Sequence, residues 1–174
     1  DAEERHQREV LSLVGRRWEG PIAIDVIESS TDRLLEISRA TRAPGIAVAS
    51  LTAAVRYLSL SRDREKAAQV LLLTEHIDEA VLAPHQRLHF LFIRAWLVSQ
   101  DRRLAEAIRL LRDADRLAVK HEYKSSIVAR ISTGLGNLLS QDGKYDEAVA
   151  YLEHAIAISE RLDNSLLRAE ALSL

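Results

Sequence analysis

The chain has no cysteine and no methionine, only three prolines and six glycines, and aromatic side chains at 5% of its 174 positions. Without cysteine it forms no disulfide and offers no thiolate to a metal or a substrate, and the redox compartment is left open. Proline and glycine are too sparse for a low-complexity linker, so composition does not divide the chain. A net charge of -2 leaves no basic excess for a phosphate backbone, which argues against direct nucleic-acid binding by this segment. No apolar run approaches the roughly eighteen residues of a membrane span, and no signal peptide is expected. A cytoplasmic location without membrane contact is therefore expected. The chain begins at Asp1 and contains no methionine, so the segment is expected to be a fragment of a larger protein. The excess of arginine over lysine fits a GC-rich bacterial source.

What is present is helical patterning, and the stretch from Ala129 to Leu162 carries most of the information. It reads as two helices joined by a turn at Gly143-Lys144-Tyr145. Small residues at Gly136, Ala148 and Ala155, with bulky Leu152 between the two alanines, permit close helix approach. Sliding this pattern back by about forty residues lays Leu91, Ala95, Val98, Ala107, Leu111 and Ala114 on Ser132, Gly136, Leu139, Ala148, Leu152 and Ala155. A second shift reaches Leu51, Val55, Leu58, Ala67, Leu71 and Thr74. A third, weaker one reaches Leu11, Gly15, Trp18, Ile27, Thr31 and Leu34, with the break at Glu19-Gly20-Pro21. Pro44 and Pro84 each follow the second helix of a unit, where a fixed φ and a missing N–H suit a break or a first helical turn.

The pattern predicts helices over 2–18, 22–42, 45–61, 64–81, 85–100, 104–121, 126–141, 145–162 and from 166 onward. The segment 22–26 alternates as a strand does, but Pro21 and the repeat register favour helix. The units run over 8–47, in degenerate form, then 48–87, 88–128 and 129–169, with a further unit starting at 170–174. All belong to a single array, cut within its last unit, where Leu166, Leu167, Leu172 and Leu174 leave apolar surface.

The unit resembles a tetratricopeptide repeat. The resemblance implies an all-α, right-handed α-solenoid of stacked antiparallel helix pairs and a protein- or peptide-binding scaffold without a fixed chemistry. The period exceeds the usual value of about thirty-four, most simply through extra helical turn, and such long repeats are similar to those of bacterial regulatory and sensor proteins. A sensor array that binds a small effector or signalling peptide, and a homodimer formed through terminal helices, are the alternatives. In the family, the first helix of each unit lines a concave groove. Carried onto this chain, the groove positions are Ala49, Thr52, Arg56, Ser59 and Leu60, then His89, Phe92, Trp96, Ser99 and Gln100, then Arg130, Thr133, Asn137, Ser140 and Gln141. Their spacings of three and four put each set on one helical stripe. Asn137 matches the asparagine with which the family holds a ligand backbone or carboxylate. Thr52, Phe92 and Thr133 stand where a carboxylate clamp wants lysine. Phe92 and Trp96 are read equally as groove anchors and as core, because the helix around them is apolar nearly all round.

An enzyme is not expected, and neither is a cofactor. His85 and His89 lie one turn apart but lack the further ligands of a metal site. Thr133-Gly-Leu-Gly136 has no preceding strand and no Lys-Ser, so it is a helix contact rather than a phosphate loop. Asp142-Gly-Lys-Tyr-Asp146 is a turn rather than a calcium loop. Arg16, Arg17, Arg62, Arg64, Arg102, Arg103 and Lys144 mark the turns within units, with Asp63, Asp101, Asp142 and Asp146 among them. Neutralised, solvated turns are expected there rather than an anion-binding edge.

Overall fold

The computed structural model describes residues 2–14, 23–61 and 63–162. Among these, eight α-helices follow one another: α1 (Ala2–Val14), α2 (Ile24–Ala40), α3 (Pro44–Ser61), α4 (Arg64–Thr74), α5 (Pro84–Gln100), α6 (Leu104–Lys120), α7 (Ser126–Gln141) and α8 (Tyr145–Arg161). No strand occurs among the described residues, so the fold class is all-α, of the stacked helix-pair kind expected of an α-solenoid. The expected helical residues 15–18, 22 and those beyond 162 lie outside the described residues, as do Arg16, Arg17 and Arg62.

Two compact units divide the chain, Asp1–Ile93 and Arg94–Leu174. In the first, α3 is the central helix. Nine of its residues are buried, among them Val48, Leu51, Val55, Tyr57 and Leu58, because α1, α2 and α4 all pack on it. Pro44 opens α3 and Pro84 opens α5, each at a first-turn position where no N–H partner is needed. The Tyr57 hydroxyl donates to the Leu13 carbonyl at 3.0 Å, tying the C-terminal end of α1 to α3. At the N-terminal end of α1, Glu3 accepts from the Thr41 hydroxyl and from the Arg42 N–H at 2.8 Å. These two bonds hold the Glu3 carboxyl below its ordinary range, the Thr41 bond contributing more.

The helix expected over 64–81 ends instead at Thr74. The N–H groups of Glu75, His76 and Ile77 turn to the carbonyls three residues back. Asp78 Oδ1 then accepts from the Ala80 N–H at 2.9 Å and opens a short 3-10 turn, Glu79–Val81. The reason lies in what is buried. Leu82, with Ile77 beside it, packs on Val48 and Phe90, while Val81 stays 60% exposed. Residues five apart on an α-helix point some 140° away from each other, so a continuous helix could not deliver both Ile77 and Leu82 to that cluster. Here the length beyond the usual period forms a folded linker, not an added helical turn.

In the second unit α7 is central, packed between α6 and α8, with Ile131, Leu135 and Leu139 fully buried. Gly136 lets α8 approach: a Cβ on it would sit 2.6 Å from Leu152 Cγ and 3.2 Å from the Ala148 carbonyl. Ala148 and Ala155 are buried at 3% and 0% exposure, as their small size requires. The turn after α7 closes with Lys144 N–H on the Leu139 carbonyl at 2.9 Å and Gly143 N–H on that of Ser140, the Schellman pattern, with Gly143 at φ 77°. The turn after α5 repeats it one unit earlier, with Arg103 on Val98 and Arg102 on Ser99.

Candidate functional site

The first helices of the repeats are buried on most of their circumference, and each leaves one line open. On α3 that line is Ala49, Thr52, Arg56, Ser59 and Leu60: Thr52 is half-buried and the others exposed. On α5 it is His89, Phe92, Trp96, Ser99 and Gln100, half-buried except for exposed Gln100. On α7 it is Arg130, Thr133 and Asn137, half-buried, then exposed Ser140 and Gln141. None of the expected groove residues is fully buried on its own helix. Phe92 and Trp96 are not core residues. That place belongs to Phe90, 1% exposed, with Leu88, Ile93 and Leu97.

The hydroxyls of these lines are largely spent on their own helices. Thr52 donates to the Val48 carbonyl at 2.7 Å, Ser59 to that of Arg56 at 2.8 Å, Ser99 to that of Trp96 at 2.6 Å, and Thr133 to that of Ala129 at 3.0 Å. Two groups on α7 are not spent. Asn137 Oδ1 is buried and accepts no hydrogen bond among the described residues, which leaves a strong acceptor uncompensated. Arg130, two turns earlier on the same line, is half-buried and forms no ion pair among the described residues. Thr133 lies between them.

On the second helices, a set of polar bridges escaped the sequence reading. Asp32 of α2 holds Lys66 Nζ of α4 at 2.7 Å, and Arg112 Nη2 of α6 donates to Glu147 of α8 at 2.6 Å. By the repeat register Asp32 corresponds to Arg112 and Lys66 to Glu147, so the same bridge occurs twice with inverted polarity. Opposite charges at matching register positions were the available signal. Beside the second bridge, Tyr151 OH donates to Asp115 Oδ2 at 3.5 Å. Burial pushes the Asp115 carboxyl above its ordinary range, against the lowering pull of His154 and of the Tyr151 hydroxyl. His154 Nδ1 lies 3.0 Å from Ser132 Oγ. That contact joins α7 to α8, and Ser132 at 0% exposure presents no hydroxyl to a substrate.

At the turns, charges are met locally. Arg103 pairs with Glu106 and Lys144 with Asp142, both at 2.5 Å, while Asp63 caps α4 by accepting from the Lys66 N–H at 3.0 Å. His85 is exposed and His89 half-buried, and no group of three His, Cys, Asp or Glu side chains among the described residues is placed to hold a metal ion. No helix among the described residues is long and apolar enough to cross a membrane.

No curated protein matches the chain. Among solved structures it is similar to the crystal structure of BtubC (BKLC) from P. vanneervenii, with a TM-score of 0.61 and 18% sequence identity, over 87% of this chain and 63% of that one. The chain thus spans less than two thirds of that structure's length, and the likeness is one of fold. A family model described as tetratricopeptide repeat matches residues 128–162, the α7–α8 pair from which the register was read. That match identifies one tetratricopeptide repeat at residues 128–162, and the helix pairs before it follow one another in the same register.

Proposed function

We propose that the chain is a protein- or peptide-binding scaffold that engages an extended ligand along the open line of α7, with Trp96 and Gln100 of α5 contributing from the same unit. The observation that carries this reading is the pair left unspent on α7. Among the described residues, Asn137 offers a buried acceptor without a donor, and Arg130 offers a half-buried cation without an anion. A ligand backbone N–H fits the first and a carboxylate the second. Half-buried Trp96 adds apolar surface of the kind that anchors interfaces. The favoured ligand is a peptide with an acidic group beside an apolar side chain. Thr52, Arg56 and Ser59 on α3, and His89 and Phe92 on α5, repeat the line in the first unit. Placement within a larger cytoplasmic regulatory protein of bacterial origin belongs to this reading, on the arginine-rich composition and the long repeats.

The test is selection of binding peptides from a random library on the 174-residue chain, followed by calorimetry. Arg130→Ala should weaken binding about tenfold or more, as loss of a charge-assisted bond worth about 1.5–3 kcal/mol requires, and Asn137→Ala should weaken it several-fold. Both should leave the helical circular-dichroism signal unchanged. Wild-type affinity in both variants would remove α7 from the binding surface.

A further inference from the structure

Asp115, Ser132, Tyr151 and His154 form a cluster that the open line of α7 does not use, and it draws on each of α6, α7 and α8. Tyr151 OH donates to Asp115 Oδ2 at 3.5 Å from α8 to α6. His154, one turn beyond Tyr151 on α8, sets its Nδ1 3.0 Å from Ser132 Oγ of α7. A serine hydroxyl both donates and accepts, so Ser132 holds the ring whether or not Nδ1 carries a proton. What the proton changes is the charge that the ring presents to Asp115. That carboxyl is half-buried; burial raises it above the ordinary range, and the imidazole acts against burial.

The neighbouring charges are otherwise engaged. On α6, Arg112 stands one turn before Asp115 and is committed to Glu147 of α8 at 2.6 Å, while exposed Arg116 pairs with Asp113. On α8, the positions one turn from His154 are Ala150, Tyr151, Ala157 and Ile158. The one charge of α7 is Arg130, about 200° round the helix from Ser132. We propose that His154 and Asp115 form a pH-sensitive clasp, which fastens α8 to α6 when the imidazole is protonated and slackens when it is neutral. Imidazole changes charge in the weakly acidic to neutral range, and His154 is exposed, so it exchanges protons with water while the carboxyl it answers is half-buried. On the acid side of that range a cation faces Asp115. On the other side the ionised carboxyl keeps, among the described residues, the Tyr151 hydroxyl alone, in a place that disfavours its charge. The contribution of the clasp is therefore present below the imidazole range and lost as pH rises through it.

A double-mutant cycle at two pH values tests this independently of ligand binding. Asp115→Asn removes the carboxylate charge and keeps an acceptor for Tyr151, whereas His154→Gln removes the titrating ring and keeps a polar partner for Ser132. Melting temperatures of the 174-residue chain, both single variants and the double variant should show a coupling of about 2 °C or more at about pH 5.5 and none at about pH 8, on either side of the imidazole range. In a His154→Lys background, where a cation is present throughout, Asp115→Asn should no longer raise the melting temperature at the higher pH. Amide hydrogen exchange of α8, corrected for intrinsic rates, should show more protection at the lower pH in the wild type and no such gain in His154→Gln. Coupling of equal size at both pH values would reduce the contact to a structural one and overturn the proposal. So would absence of coupling at the lower pH, or a His154→Lys chain that Asp115→Asn still stabilises at the higher pH.

Discussion

Gly136 sets how closely α8 can lie on α7. Alanine there would gain about 1 kcal/mol in helix propensity, but its Cβ would fall 2.6 Å from Leu152 Cγ and 3.2 Å from a backbone carbonyl, neither of which is a free side-chain end. Overpacking of that kind costs about 1–3 kcal/mol, so Gly136→Ala should lower the denaturant midpoint. Gly134, whose added Cβ would meet only the Leu111 terminal methyl, should tolerate alanine better. Asp115 gives the residue scale a pH test. Its carboxyl is raised by burial, so ionisation opposes folding: this group's contribution is full below the ordinary carboxylate range and is lost as pH rises through the raised value. Asp115→Asn keeps an acceptor for Tyr151 and removes the charge. Its melting temperature should exceed that of the wild type near pH 7, with the margin closing as pH falls into the carboxylate range. A margin that does not change with pH would assign the gain to something other than the charge.

Element boundaries were legible wherever turn chemistry was written in residue type. Pro44 and Pro84 open α3 and α5, Asp63 caps α4, and Gly143 closes α7 at positive φ. The end of α4 was not legible, because Glu75 to Val81 keeps a helical pattern and only the packing of Ile77 and Leu82 on Val48 and Phe90 selects the linker. The turn after α5 makes a prediction at this scale. Arg102, at φ 58°, occupies the place that Gly143 occupies at φ 77° one unit later, and a left-handed conformation costs an L-residue about 1–2 kcal/mol. Arg102 is exposed and Arg103, not Arg102, pairs with Glu106. Arg102→Gly should therefore stabilise the chain by about 1 kcal/mol after the entropic cost of glycine, and chemical denaturation measures it.

For the molecule as a whole, helical periodicity and the recurrence of small residues carried the fold, since each first helix meets neighbours over most of its surface and each second helix needs alanines where it is approached. The same feature hid part of the site. A helix as broadly apolar as α5 does not reveal from its sequence that Phe90 is core while Phe92 and Trp96 are only half-covered. The bridges between second helices were hidden for another reason: each joins residues about a repeat apart, the two have opposite polarity, and the register position between them is the uncharged Leu72, so no repeated motif announces them. The proposed binding line on α7 joins both kinds of information, with positions read from spacing and unspent chemistry seen, among the described residues, at Arg130 and Asn137. Its most direct test is amide and side-chain chemical-shift mapping of the isotopically labelled chain on titration with a library-selected acidic peptide. The account predicts that the largest shifts cluster on Arg130, Asn137, Gln141 and the Trp96 indole. Shifts confined to α6 and α8, with the α7 line unmoved, would contradict it.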